Sequence, residues 1–316
     1  MPPNSWICLQ SPDAITNASS VTLSLDNRGL AYGDGFFTTM GVIDGLILWS
    51  AYHHQRLISH AKALQLDLDS DALLTTLQIH AKRLQQGVLK LIVTRAVQEG
   101  RGYGYTPSAS GSACEVWLKC SAMTVATTKQ LRLSSGTPIP IQPASAAICL
   151  SSQIACLPPP LAGLKSLNRL DTVLASAELQ QIKAHFLQSK SLESNAEPNI
   201  GEGLLRDVSG NWVEGTMSNV FYQLSQPKNI VNVNKADFNS LTTGQWYTPS
   251  IAKSGVAGVM RQVIIDVLSG TKQPVVVRPL QDEDLLNVKQ LFFCNALRGI
   301  MPMSSLTLLS GEVVEF

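Results

Sequence analysis

A primary amine that loses its hydration becomes a nucleophile near neutral pH, so the first residue to weigh is a lysine among apolar neighbours. Lys165 stands in Leu-Ala-Gly-Leu-Lys-Ser-Leu-Asn-Arg-Leu, after Pro158-Pro159-Pro160, with Leu161, Leu164 and Leu167 nearby. Such an amine can form a Schiff base with a carbonyl, although the same spacing suits a solvated lysine flanking a helix. Glu214, in Trp-Val-Glu-Gly-Thr-Met-Ser-Asn, is either a turn acid or the partner of a protonated ring nitrogen beside the small hydroxyl donors Thr216 and Ser218. Ser254, Gly255 and Gly258 precede a helical run whose first N–H groups suit an anion as well as they suit an ordinary cap. Arg101, between glycines in Gly-Arg-Gly-Tyr-Gly, is a carboxylate clamp or a surface arginine.

These side chains need elements to hold them. Residues 36–49 read as two strand-like runs around Ile43-Asp44-Gly45, a hairpin signal. Residues 51–64 carry Leu57, Ala61 and Leu64 at helical spacing, and 70–85 suit a second helix with Ser70 as cap and Gly87 beyond its end. Strands at 88–95 and 115–120 complete a small α/β domain over 1–125. The polar run Thr127-Thr128-Lys129-Gln130 marks a linker at 126–131, leaving 132–316 as a larger domain. There, a helix from Asn168 is expected to bury Leu170, Val173, Leu174 and Ala177, and one from Gly255 to bury Met260, Val263, Ile264 and Val267. Strands are expected near 131–134, 146–150, 203–207, 219–224, 275–278, 290–294 and 306–309, with a polar loop at 188–199.

Composition narrows the function classes. The chain has 316 residues, 45% of them hydrophobic, and 24 Lys+Arg against 23 Asp+Glu, enough apolar content for large cores. A net charge of +1 and the lack of a basic stripe argue against nucleic acid. No apolar run reaches the roughly 18 residues of a membrane span, and Met-Pro-Pro-Asn-Ser-Trp-Ile-Cys-Leu-Gln is no secretion signal, so a cytoplasmic location is expected. The cysteines form no C-x-x-C pair, and adjacent His53 and His54 diverge on a helix, so no metal is expected.

A candidate imine-forming lysine, a ring-nitrogen acid, an anion cup and a carboxylate clamp are what pyridoxal phosphate chemistry requires. Five motifs occur in one order: Asp-Asn-Arg-Gly-Leu-Ala-Tyr-Gly-Asp-Gly-Phe-Phe-Thr-Thr at 26–39, His53-x-x-Arg56, Gly-Leu-Lys-Ser-Leu-Asn-Arg-Leu at 163–170, Val-Glu-Gly-Thr-x-Ser-Asn-Val-Phe at 213–221, and Gly-Val-Met-Arg-Gln at 258–262. With them the chain resembles the fold-type IV pyridoxal phosphate enzymes, the class of branched-chain and D-amino-acid aminotransferases. Phe-Thr-Thr after Gly-Asp-Gly, Arg101-Gly102-Tyr103, Asn168-Arg169 and Cys294-Asn295-Ala296-Leu297 make it most similar to the 4-amino-4-deoxychorismate lyases of that class. Two features depart from that pattern: Glu-Gly-Thr-Met-Ser-Asn is nearer the aminotransferase version, and 188–200 looks inserted.

The resemblance implies a two-domain α/β (α+β) fold, its larger C-terminal domain built on a barrel-like sheet. It implies Lys165 as the cofactor-bearing lysine and Glu214 as the partner of the pyridine nitrogen. Arg56, the N–H groups of Val259 and Met260, and groups at Ala296 and Leu297 would hold the phosphate. Arg101, Tyr103 and Asn295 would face the substrate, and Thr39 would point into the site with Phe37 while Thr38 faces away. Arg169 is either a further anion-binding cation or a packing residue. The implied reaction releases 4-aminobenzoate and pyruvate from 4-amino-4-deoxychorismate, in a homodimer whose partner loop, with Arg101 and Tyr103, completes the pocket. The alternatives are an aminotransferase of the same fold and a binding protein with a vestigial site, against which Lys165 and Glu214 argue.

Overall fold

A computed structural model of the chain describes residues 6–10, 23–100, 102–106, 111–125, 129–132, 138–188, 199–225, 241 and 244–316. The chain divides into two compact units, one of residues 1–125 with 164–168 and the other of 126–163 with 169–316.

The first unit contains β1 (Trp6–Gln10), α1 (Arg28–Tyr32), β2 (Gly35–Ile43), β3 (Leu46–Ile47), α2 (Ser50–Ala63), α3 (Ser70–Leu84), β4 (Gly87–Arg95) and β5 (Cys114–Ala122). Among the described residues its strands form one antiparallel sheet in the order β1-β5-β4-β2-β3. The β2–β3 turn places Asp44 and Gly45 at φ 51° and 71°, the left-handed pair that a tight hairpin needs. Along β2 the side chains alternate: Phe36, Thr38 and Met40 are buried, whereas Phe37 and Thr39 are half-buried on the opposite face. Helix α2 buries His53, Arg56, Leu57, His60 and Ala61, a stripe at helical period that puts three polar side chains where an ordinary helix would carry aliphatic ones. The cap of α3 is Asp69 rather than Ser70: its carboxylate accepts the Ala72 N–H at 2.9 Å, while Ser70 is the buried first residue of the helix. Residues 165–167 then join this unit along the edge of β2, with Phe37 N–H donating to Lys165 O at 3.0 Å and Leu167 N–H to Gly35 O at 3.1 Å.

The second unit contains β6 (Lys129–Arg132), β7 (Pro138–Ile141), β8 (Ser145–Ile154), α4 (Leu170–Gln188), β9 (Ile200–Asp207), β10 (Trp212–Gly215), β11 (Asn219–Leu224), β12 (Tyr247–Thr248), α5 (Val259–Ser269), β13 (Val276–Val277), α6 (Asp282–Leu285), β14 (Val288–Asn295), β15 (Gly299–Thr307) and β16 (Val313–Glu315). Its mixed sheet closes on itself as β11-β10-β9-β8-β15-β14, because β14 pairs with both β15 and β11, so the unit has the expected barrel. Trp212, Val220, Tyr222, Phe293 and Leu306 belong to one of its core clusters. Residues 129–132, which overlap the span expected to link the domains, form β6 and pair with β7. Residues 189–198 of the expected polar loop lie outside the described residues.

Helix α4 starts at Leu170 and turns a different face inward from the one expected. It buries Ala175 and Leu179, whereas Leu170, Val173 and Leu174 are 79%, 58% and 67% exposed. The helix is apolar around much of its circumference, so two stripes fit the helical period and only packing selects between them. Glu178 supports the observed choice, accepting hydrogen bonds from Ser151 and Ser152 of β8 at 2.7 to 2.9 Å. Helix α5 begins at Val259 rather than Gly255, because Gly255 lies at φ 80° and Gly258 is the extended N-cap.

Candidate active site

The lysine constellation lies within the first unit. Lys165 is half-buried, and its Nζ stands 4.6 Å from the centroid of the Phe37 ring. Thr39, two residues along β2, lies on the same half-buried face as Phe37. Thr38 faces the other way and is fully buried: it accepts a bond from Arg56 Nη1 at 3.3 Å and lies 2.9 Å from His53 Nδ1. A hydroxyl that accepts from Arg56 has its proton left for His53, so Thr38 and His53 fix the guanidinium from behind. Arg56 is 6% exposed, and burial pulls its pKa down to about 10, which leaves it charged at neutral pH.

A second cationic cluster in this unit steadies the glycine-rich loop. Asp34 is shared by Arg28 and Arg95, each 2.9 Å from its Oδ2. Arg28 also donates to the carbonyls of Gly102, Tyr103 and Gly104 at 2.9 to 3.2 Å, and Tyr32 meets the Tyr103 ring at 5.1 Å between centroids. Tyr103 is thus held by its backbone while its side chain is 82% exposed. Arg101 lies outside the described residues.

The carboxylate constellation lies within the second unit. Glu214, on β10, is 4% exposed and accepts from Arg169 Nη2 at 3.1 Å through Oε1 and from the Val256 N–H at 2.8 Å through Oε2. The Arg169 side chain, four residues after Lys165 in sequence, therefore sits against the acid and also reaches Thr172 Oγ1 at 2.8 Å. Asn219 donates to Val256 O at 2.9 Å, fixing the approach to α5. No side chain caps α5 at Gly258, and a Cβ at that position would collide with Asn219 Oδ1. Val259 and Met260 thus open an eleven-residue helix whose first N–H groups suit an anion. In the turn after β14, Asn295 Oδ1 accepts from the N–H groups of Leu297 and Arg298 at 3.1 and 2.8 Å, leaving its Nδ2 near Met217 O at 3.4 Å.

The donor set fits pyridoxal phosphate. In the first unit a half-buried amine suits its aldehyde and a buried guanidinium its phosphate; in the second a buried carboxylate suits its ring nitrogen and an uncapped helix start suits a phosphate. Among the described residues no group of three or more His, Cys, Asp or Glu is arranged to hold a metal ion, and no helix is long and apolar enough to cross a membrane.

Two buried residues escaped the reading of the sequence. Glu202 on β9, 3% exposed, accepts from Thr216 N–H and Oγ1 at 3.1 and 2.6 Å and from Ser218 Oγ at 2.6 Å, so it shapes the loop after Glu214. Nothing in its sequence context separates it from a surface acid. His60 did leave a signal: it lies four residues after Arg56, on the same face of α2.

The family model for amino-transferase class IV matches residues 35–306. A solved 4-amino-4-deoxychorismate lyase from Pseudomonas aeruginosa is 30% identical, with a TM-score of 0.67 over 91% of this chain and 88% of that one. A Methanocaldococcus jannaschii protein that carries the name of a branched-chain-amino-acid aminotransferase is 26% identical over 89% of this chain and 81% of its own length. An aminodeoxychorismate lyase from Vibrio harveyi is 24% identical over 90% of this chain and 87% of its own.

Proposed function

The chain belongs to the class IV amino-transferase family of pyridoxal-phosphate enzymes, and from that premise we propose that it is a lyase converting 4-amino-4-deoxychorismate to 4-aminobenzoate and pyruvate. The observation that carries this reading is the half-buried face of β2, where Thr39 follows Phe37 by one strand period and Lys165 Nζ lies over the Phe37 ring. A hydroxyl on the same strand face as the ring beneath the amine suits a reaction in which one group takes a proton and another returns one. The 30% identity to a solved lyase over most of both chains supports the same substrate.

When bound, pyridoxal phosphate supplies an aldehyde that takes up the substrate amine and a protonated ring that withdraws electrons from the neighbouring carbon. Lys165 Nζ would hold the cofactor at rest and would remove the proton from C4 of the substrate. The C3–O bond then breaks, the enolpyruvyl group departs with the bond electrons, and Thr39 Oγ1 helps to protonate its terminal carbon, which gives pyruvate. Loss of that group leaves the ring aromatic, the driving force of the reaction. Glu214, buried beside Arg169, would keep the pyridine nitrogen protonated. Arg56 and the N–H groups of Val259 and Met260 would hold the phosphate. Because Leu297 N–H already serves Asn295, the contribution of that turn falls mainly to Ala296. Phe37, Arg101, Tyr103 and Asn295, the last through Nδ2, face the carboxylates and ring of the substrate. The working form is a cytoplasmic homodimer in which Arg101 and Tyr103 reach the partner's pocket.

The Glu-Gly-Thr-Met-Ser-Asn motif and the Methanocaldococcus relative favour a second reading, an aminotransferase. An assay of purified protein with 4-amino-4-deoxychorismate and no keto acid decides between them. Equal amounts of 4-aminobenzoate and pyruvate are expected. Dependence on an added keto acid, or faster turnover of D-alanine or leucine, would replace the lyase by the aminotransferase.

A further inference from the structure

We infer that His60 is a positioning residue that ties the backbone of Lys165 to the helix bearing Arg56. The inference rests on the reading that Lys165 carries the cofactor and deepens it by naming what fixes that lysine in place.

The geometry is a chain of hydrogen bonds within the first unit. Lys165 N–H donates to His60 Nε2 at 3.0 Å. Ser59 Oγ lies 3.2 Å from His60 Nδ1 and donates its own proton to Arg56 O at 3.2 Å. With Nε2 accepting and the Ser59 proton committed to Arg56, the imidazole must carry its proton on Nδ1 and give it to Ser59. The chain therefore runs from the Lys165 amide through His60 and Ser59 to the Arg56 carbonyl. The opposite side of the same residue is also held, since Lys165 O accepts the Phe37 N–H at 3.0 Å. The His60 ring is 3% exposed and meets Phe36 edge-on at 5.3 Å between centroids, so packing fixes its orientation.

An acceptor at Nε2 requires a neutral ring. Burial first, and then the charges of Arg56 and Lys165, pull the His60 pKa down to about 3, so it stays neutral throughout the working range. Protonation would set a donor against the Lys165 N–H and break the link.

The test compares wild type with His60→Leu, which keeps the bulk and removes the acceptor, and His60→Gln, whose carboxamide oxygen restores one. Three quantities are read: hydrogen exchange of the peptide spanning 164–168, the pH titration of the visible band of bound pyridoxal phosphate, and kcat with KM. In His60→Leu the Lys165 amide is expected to exchange about tenfold faster, as loss of one buried hydrogen bond predicts. The band should titrate at a different pH, and kcat should fall about tenfold or more with KM little changed, as a displaced reacting group predicts. His60→Gln should recover all three. Unchanged exchange and titration in His60→Leu, or a His60→Gln as impaired as His60→Leu, would overturn the inference.

Nitrogen-15 NMR of the histidines in wild type needs no variant to fold. A proton on Nδ1 of His60 is expected, and a proton on Nε2 overturns the link. If no variant releases pyruvate while exchange and band titration respond as stated, the lyase reading falls and His60 keeps its role. If wild type forms no visible band, Lys165 is not the cofactor lysine and the inference falls with it.

Discussion

At the scale of single residues, the proposed chemistry rests on an amine and an acid with different supports. On the proposed reading, Lys165→Ala removes both the anchor of the cofactor and the proton carrier, so turnover should fall by about 10³-fold or more while the fold persists. Borohydride reduction followed by peptide mapping checks the attachment, since an adduct on any other lysine contradicts it. Glu214→Gln should retain cofactor yet lose about 10²-fold in kcat, as expected when a charge that stabilises the reacting ring is lost; an unchanged rate would remove Glu214 from the mechanism. The two buried imidazoles add a pH dependence of stability. Burial, then Arg56, holds His53 at a pKa of about 3, and His60 is held there as well. An unfolded histidine titrates near about 6.5, so between these values the unfolded chain binds the extra protons and stability falls as pH drops, by up to about 1.4 kcal/mol per unit for each ring. Above about pH 6.5 neither ring contributes a slope. Urea titrations of wild type and His60→Gln between about pH 7 and 5 should show a smaller loss in the variant, and equal losses would count against a buried neutral His60. Lys165 and Glu214 stood out in the sequence only as candidates, since their neighbours left a surface lysine and a turn acid open, and the ordered motifs of the resemblance gave them their proposed roles. His60 and Glu202 were not singled out, because burial depends on what packs over a residue and not on its own neighbours in the chain.

At the scale of elements, local turn chemistry was legible and the choice of buried face was not always so. The hairpin at Asp44-Gly45 and the strand at 219–224 follow from φ requirements and β-branched or aromatic runs that admit few alternatives. Helix α4 failed the same treatment because Leu170, Val173 and Leu174 compete with Ala175 and Leu179 for the inward face. Its observed orientation predicts that Leu179→Ala costs about 2–5 kcal/mol, whereas Leu174→Asp changes stability by no more than about 0.5 kcal/mol. Thermal or denaturant unfolding of the two variants checks this, and a reversed ranking would restore the stripe expected from sequence. At the start of α5, Gly258→Val should weaken phosphate binding, since its Cβ must displace Asn219, which holds the loop before the helix. The affinity for pyridoxal phosphate, measured by titration of the visible band, is the readout.

At the scale of the whole molecule, the class IV family and the barrel in the second unit were both foreshadowed, because five motifs in fixed order specify far more than any one of them. The proposed homodimer is checked by light scattering, which should give twice the 34.1 kDa chain mass. Tyr103→Ala, at an exposed side chain whose backbone stays held by Arg28, should lower kcat/KM for the substrate without lowering the unfolding temperature. A fully active monomer would end that proposal. Residues 164–168 belong to the first unit although the chain on either side of them belongs to the second. For biosynthesis this sets an order of events. At about 5–20 residues per second, the ribosome has released residues 1–125 for several seconds before Lys165 emerges. Throughout that interval the β2 edge at Gly35 and Phe37 lacks its later partner, and an open strand edge attracts other chains. A fragment ending at residue 125 should therefore aggregate more readily than the full chain, and a peptide spanning 161–170 supplied in trans should suppress that aggregation by occupying the edge.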